Sequence, residues 1–216
     1  VMLGFMATNA DVGYYGAAVK IKNILVSIVT SLGTVLLPRA AYYIEHQQMD
    51  EFKKLSRKAL NFVFLVASPM MIYFMLFAKQ GIYFLSGDAF GPAVVPMQLI
   101  MPTLLLIGIT NILGIQILVP LGYEKAVLVS EIVGAVIDLV VNALLIPVYQ
   151  SSGAAIGTLL AEFAVMVVQC VALKNEIKTA FSDIKYLKII LAIILASLAS
   201  FWVTALNLHV FITLVI

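Results

Sequence analysis

Apolar residues run in long unbroken blocks, and polar residues gather at the breaks between them. Five blocks have the length of a membrane span: about 14–41, 59–78, 94–120, 126–147 and 153–173, with a sixth at about 187–206. A helix needs about 20 mostly apolar residues to cross the hydrocarbon core. The pattern therefore predicts an all-α membrane protein, a polytopic helical bundle. The blocks are continuous and not alternating, which excludes a membrane β-barrel. The breaks read "NADVGYYG", "SGDAFGP", "PLGYEK", "PVYQSSG" and "LNLH", rich in turn-forming residues. Shorter apolar pieces, "VMLGFMAT" and "VFITLVI", stand at the two ends. The chain reads as an internal or C-terminal piece of a larger, transporter-sized protein.

Composition strengthens this reading. Of 216 residues 63% are hydrophobic and only 11% charged, against about 25% charged in soluble domains. Mean hydropathy is +1.10. The single cysteine, Cys170, sits inside an apolar block, so no intrachain disulfide forms.

The net charge of +2 says little, but its distribution is informative. Arg39, Lys53, Lys54, Arg57 and Lys58 fall between the first two spans, Lys125 between the third and fourth, and Lys174, Lys178, Lys185 and Lys188 after the fifth. The alternate breaks hold only Lys79. The positive-inside rule then makes loops 42–58, 121–125 and 174–186 cytoplasmic. The first span runs from outside to inside.

Polar residues inside the spans are the candidate chemistry. A carboxylate at membrane depth costs at least a few kcal/mol, so it faces protein or water. Successive helical residues advance about 100° and 1.5 Å. Glu131, Asp138 and Asn142 then lie within roughly 40° of one another. Glu162 and Gln169 share one face of the fifth span, with Thr158 beside them. In the first span Lys20, Asn23, Ser27, Ser31 and Thr34 form a stripe. Lys22 points almost opposite to Lys20. We take Lys20 as the cavity residue and expect Lys22 to snorkel to the outer interface. Asp138, Glu162 and Lys20 all sit about 9–14 Å below the outer surface, so they can share one layer. A packing role for the carboxylates, bridging helices, is the competing reading. Asn111 and Gln116 in the third span, and Asn61 in the second, are weaker candidates.

Pro69, Pro96 and Pro102 lie inside spans, where each deletes a backbone hydrogen bond. They are candidate hinges for alternating access or static kinks. Gly153, Gly157 and Ala161 recur every four residues, a face for close helix contact. The sequence shows no phosphate-binding Walker loop, no metal-spaced His/Cys/Asp cluster and no nucleophile elbow. An enzyme is disfavoured, and no cofactor, metal or nucleic acid is called for. A membrane polymerase or acyltransferase would need a large outer loop with paired catalytic groups.

Two stretches resemble a known family. "DVGYYGAAVKIKNI" followed by "LPRAAYY" resembles the start of the second half of the polysaccharide flippases, Wzx-type members of the multidrug/oligosaccharidyl-lipid/polysaccharide exporter superfamily. "LGYEKA", and "VVNALLIPVYQSSGAAIGTLLAE" after it, resemble the later hallmark of that family, departing at Gln150 where the family often has Gly. The resemblance implies a MATE-like second lobe over 1–174, additional C-terminal helices over 175–216, and an N-terminal lobe elsewhere in the same protein. It implies a transporter in the bacterial plasma membrane. Its substrate would be an undecaprenyl-diphosphate-linked oligosaccharide, flipped to the outer leaflet for capsule or O-antigen assembly. Membrane lipids and a polysaccharide polymerase are the partners such a role suggests. Lys20, Asn23, Ser27, Asn111, Asp138, Asn142 and Glu162 would line the path, with Asp138 and Glu162 as sites for a coupling proton or sodium ion. The alternatives in the same fold are a MATE-type cation or drug antiporter and a peptidoglycan-precursor flippase.

Overall fold

The computed structural model describes residues 2–174 together with Leu191, Ile194 and Leu195. The span expected at 187–206 and the C-terminal unit expected at 175–216 lie outside the described residues, those three positions excepted. The described chain is helical throughout its ordered elements. A short α1 (Met2–Met6) leads into α2 (Asn9–Glu45). Thr8 and Asp11 form a capping box there: the Asp11 N–H donates to Thr8 Oγ1 at 3.2 Å, and the Thr8 N–H donates to Asp11 Oδ2 at 3.1 Å. The expected outer break "NADVGYYG" is therefore the opening of a helix. Its polar residues cap a helix start; they do not turn the chain.

Helix α3 spans Met49–Leu76 and begins well before the apolar block expected from Ala59. The charged stretch 49–58 is helical because it is amphipathic: Phe52, Ser56, Ala59, Leu60 and Val63 are buried along one face. The Ser56 hydroxyl donates back to the Phe52 carbonyl at 3.0 Å. Only 46–48 break the chain where a loop over 42–58 was expected. Pro69 lies within α3 without interrupting it.

The expected third span is a broken element. Helix α4 (Ala78–Ser86) ends at Gly87, whose φ of 82° favours glycine. A 3₁₀ segment (Asp88–Ala93), α5 (Val94–Ile100) and α6 (Thr103–Asn111) follow. The chain bends by 43° between 88–100 and 103–118. Pro102 sits at that break; Pro96 lies in the opening turn of α5. From Ile112 to Leu118 the helix widens to the π form, as the 3.0 Å bond from the Val119 N–H to the Gly114 carbonyl shows. This central element supplies much of the core: Met97, Ile100, Met101, Leu104, Leu113 and Leu118 are wholly buried.

The last helix, α7 (Glu124–Ala172), is too long to cross once, and it does not run straight. At Gln150 the backbone turns to φ 50°, ψ −125°, and the two arms fold back on each other. The Gln169 amide donates to Ser130 Oγ at 3.2 Å. A Cβ on Gly134 would meet Val165, and one on Gly153 would lie 2.5 Å from the Leu145 carbonyl oxygen. The small-residue face of Gly153 and Gly157 is thus a packing face. On the first arm Leu128, Ile132, Val136, Leu139 and Leu144 are exposed, the surface a lipid environment covers. Among the described residues three helices are long and apolar enough to cross a membrane, and the bent 88–118 pair brings the number to four when it is counted as one span. Because α7 folds back at Gln150, it accounts for two of the five spans read from the sequence.

Candidate functional site

The antiparallel arms of α7 leave a cleft of about 260 Å³. Glu131 and Asp138 line it from the first arm, Thr158 and Glu162 from the second. The expected stripes on the two arms therefore face one another. Beside it lies a second cleft of about 340 Å³, bounded by α1, Tyr15 and the same arms, which Asp138 and Thr158 also line. Asp138 stands at the junction.

Its surroundings are polar but incompletely satisfied. Asn142 lies beside Asp138, one helical turn along the first arm, and lines the second cleft with it. Asp138 Oδ1 and Asn142 Oδ1 are buried with no hydrogen-bond partner. Asn142 reaches this position because Gly157 opposite has no side chain; a Cβ there would overlap its carbonyl oxygen. Thr158 donates to the Ala154 carbonyl at 3.1 Å and accepts from the Tyr15 hydroxyl at 2.8 Å, which ties α2 to the hairpin. Buried polar atoms carry a cost unless they are paired, and these two oxygens are acceptors with no protein donor. Among the described residues no group of three or more His, Cys, Asp or Glu is arranged to hold a metal by itself.

The base in this layer is a different lysine from the one expected. Lys22 is half-buried and within electrostatic reach of Glu162, which also feels Glu131 and Asp138. Lys20 is exposed on the far side of α2, so it does not join Asp138 and Glu162. The reason is the packing of α2: Ala17, Ala18, Ile21, Leu25 and Val29 are buried, which turns Lys22 toward the bundle and Lys20 away from it. Asn23 and Ser27 are exposed on the same outer stripe as Lys20. Asn111 is elsewhere again: with Gln116 it packs against Gly33, where a Cβ would come within 2.5 Å of both amides. Sequence reasoning passed over Tyr15, whose contact with Thr158 joins residues 143 apart and leaves no local signal.

An all-helical, multi-pass membrane protein with carboxylates placed between its helices is the class this architecture defines. The family model for "Lipid II flippase MurJ" matches residues 5–216, and the chain belongs to that family. It is 24% identical over 176 residues to the "Putative O-antigen transporter" of Escherichia coli (strain K12), covering 82% of this chain and 42% of that protein. It is 25% identical over 187 residues to "Uncharacterized membrane protein MJ1068" of Methanocaldococcus jannaschii, covering 87% of this chain and 37% of that one. The chain spans about two-fifths of the length of these relatives. No solved structure gives a significant match. The flippase superfamily expected from the two quoted stretches is the one found.

Proposed function

We propose that the intact protein moves a polyprenyl-diphosphate-linked saccharide from the cytoplasmic to the outer leaflet of the bacterial plasma membrane. The observation that carries this reading is the family match over 5–216. The fold supports it physically. Helix α2 crosses the membrane yet exposes Lys20, Asn23 and Ser27 along one side. A charge there needs water, protein or a ligand to meet it. In this proposal the stripe faces the substrate path, shared with an N-terminal lobe, and Lys20 pairs with the diphosphate. Asp138 and Glu162, in the cleft behind it, are the groups for a coupling proton or sodium ion. The chain breaks at 46–48 and 121–123 face the cytoplasm. The protein carries its substrate unchanged and is not an enzyme.

Two saccharides compete. The family is described by lipid II, a peptidoglycan precursor, and one relative by O-antigen. Our sequence reading favours the capsule or O-antigen repeat unit. One experiment tests the proposal and decides between them. The intact protein is expressed in two hosts, one depleted of its lipid II flippase and one lacking its O-antigen flippase. Restored surface polysaccharide in the second host alone is the expected result. Restored growth in the first host alone would transfer the assignment to lipid II. Rescue of neither host, with the protein present in the membrane, would refute the proposal.

A further inference from the structure

Another concavity, of about 340 Å³, lies between the end of α2 and the start of α3 and shares no residue with the two clefts at α7. Its walls are apolar: Leu32 and Leu36 from α2, Leu55 and Ala59 from α3. Its rim is basic. Arg39 comes from α2, and Lys54 and Lys58 come from one face of α3 at a spacing of four. The single carboxylate on the rim, Glu51, is already bound by Lys54 at 2.7 Å. Three cations against one carboxylate leave the lining with a net charge of two positive (3 − 1). The Arg39 guanidinium lies 5.9 Å over the Tyr43 ring, which holds it at the mouth.

We propose that this concavity binds the phosphate headgroup of an anionic membrane phospholipid, with an acyl chain along Leu32, Leu36, Leu55 and Ala59. Three observations select this occupant. The charge complements a phosphate, and guanidinium and ammonium groups bond its oxygens strongly. The apolar wall continues from the charged opening turns of α3 into its membrane-crossing part, so head and tail find matching surfaces in the right order. The site lies on the side of α2 roughly opposite the exposed Lys20–Ser27 stripe. A substrate moving along that stripe does not reach it, whereas a lipid of the surrounding bilayer does. The inference stands on this geometry and does not depend on which saccharide the protein moves.

The test uses the intact protein, purified in detergent with defined lipids and analysed by native mass spectrometry. Phosphatidylglycerol should be retained in preference to phosphatidylcholine. Arg39→Gln and Lys58→Gln should each lower that retention about fivefold, the weight of one basic residue near an anionic headgroup. Lys125→Gln, a basic residue outside the rim, should leave it unchanged, and Arg39→Lys should keep most of it. Phosphatidylglycerol should also raise the unfolding temperature of the wild type and not of the Arg39→Gln/Lys58→Gln pair, which separates lost binding from lost folding. Equal retention of the two lipids would overturn the proposal. So would an equal loss in Lys125→Gln, which would mean diffuse attraction to the surface. Displacement of the lipid by free glycerol phosphate would reassign the site to a soluble anion and overturn it as well.

Discussion

Gln150 carries the sharpest local strain in the described chain. Its φ of 50° and ψ of −125° belong to a region that glycine enters freely and other residues enter at a cost of about 1–3 kcal/mol. The turn it makes sets the α7 hairpin, so the strain is held by the packing of both arms. Gln150→Gly should stabilise the protein by about 1 kcal/mol, read as a higher unfolding temperature in detergent. An unchanged or lower value would mean the turn has another geometry. Gly157 is the converse case. Gly157→Ala places a methyl against the Asn142 amide and should destabilise by about 1–3 kcal/mol. Asn142→Ala in the same molecule should recover much of the loss, since the two sites are in contact. Additive losses in the double variant would show that the amide is not what the methyl meets.

Individual residues were legible to different degrees. The stripes of Asp138 and Glu162 follow from helical spacing alone, and they do face each other. Which lysine shares the layer of Asp138 and Glu162 was misread because α2 has polar residues on both sides. Spacing separates Lys20 from Lys22 but does not say which side packs. That depends on Ala17, Ile21 and Leu25 finding partners distant in sequence.

At the scale of elements, hydropathy located the crossings and missed what lies beyond them. The opening of α3, 49–58, is an amphipathic continuation with seven of its ten residues charged or polar, which a hydropathy window reads as loop. The hairpin was legible because Pro147 to Gly153 interrupts an apolar run long enough for two crossings. The break in 88–118 was visible only as prolines, and three prolines gave no ranking. The structure ranks them: the 43° bend falls at Pro102, while α3 runs through Pro69 and α5 begins just before Pro96. If the bend works as a hinge, Pro102→Ala should slow transport several-fold, with Pro69→Ala and Pro96→Ala close to wild type. Equal effects at all three sites would mean that the bend is a static feature of packing.

For the molecule as a whole, the parts fit one arrangement. A packed bundle built on α2 to α6 carries a two-armed α7, and the carboxylates Asp138 and Glu162 lie between the two arms. The exposed polar stripe of α2 and the acidic cleft lie on different sides of that helix. In our account this separation lets substrate and coupling ion occupy distinct sites, with Lys22 of α2 within electrostatic reach of Glu162. Lys20→Ala should then weaken substrate transport without altering its dependence on an ion gradient.

The most direct measurement reconstitutes the intact protein into vesicles. The lipid-linked saccharide starts in the inner leaflet, and a membrane-impermeant enzyme that cuts exposed sugar reads the outer one. Under an imposed proton or sodium gradient, the account predicts that shielded saccharide becomes accessible far faster than in protein-free vesicles. It also predicts that Asp138→Asn removes the gradient dependence. Accessibility no faster than in protein-free vesicles, with the protein folded and correctly inserted, would contradict it.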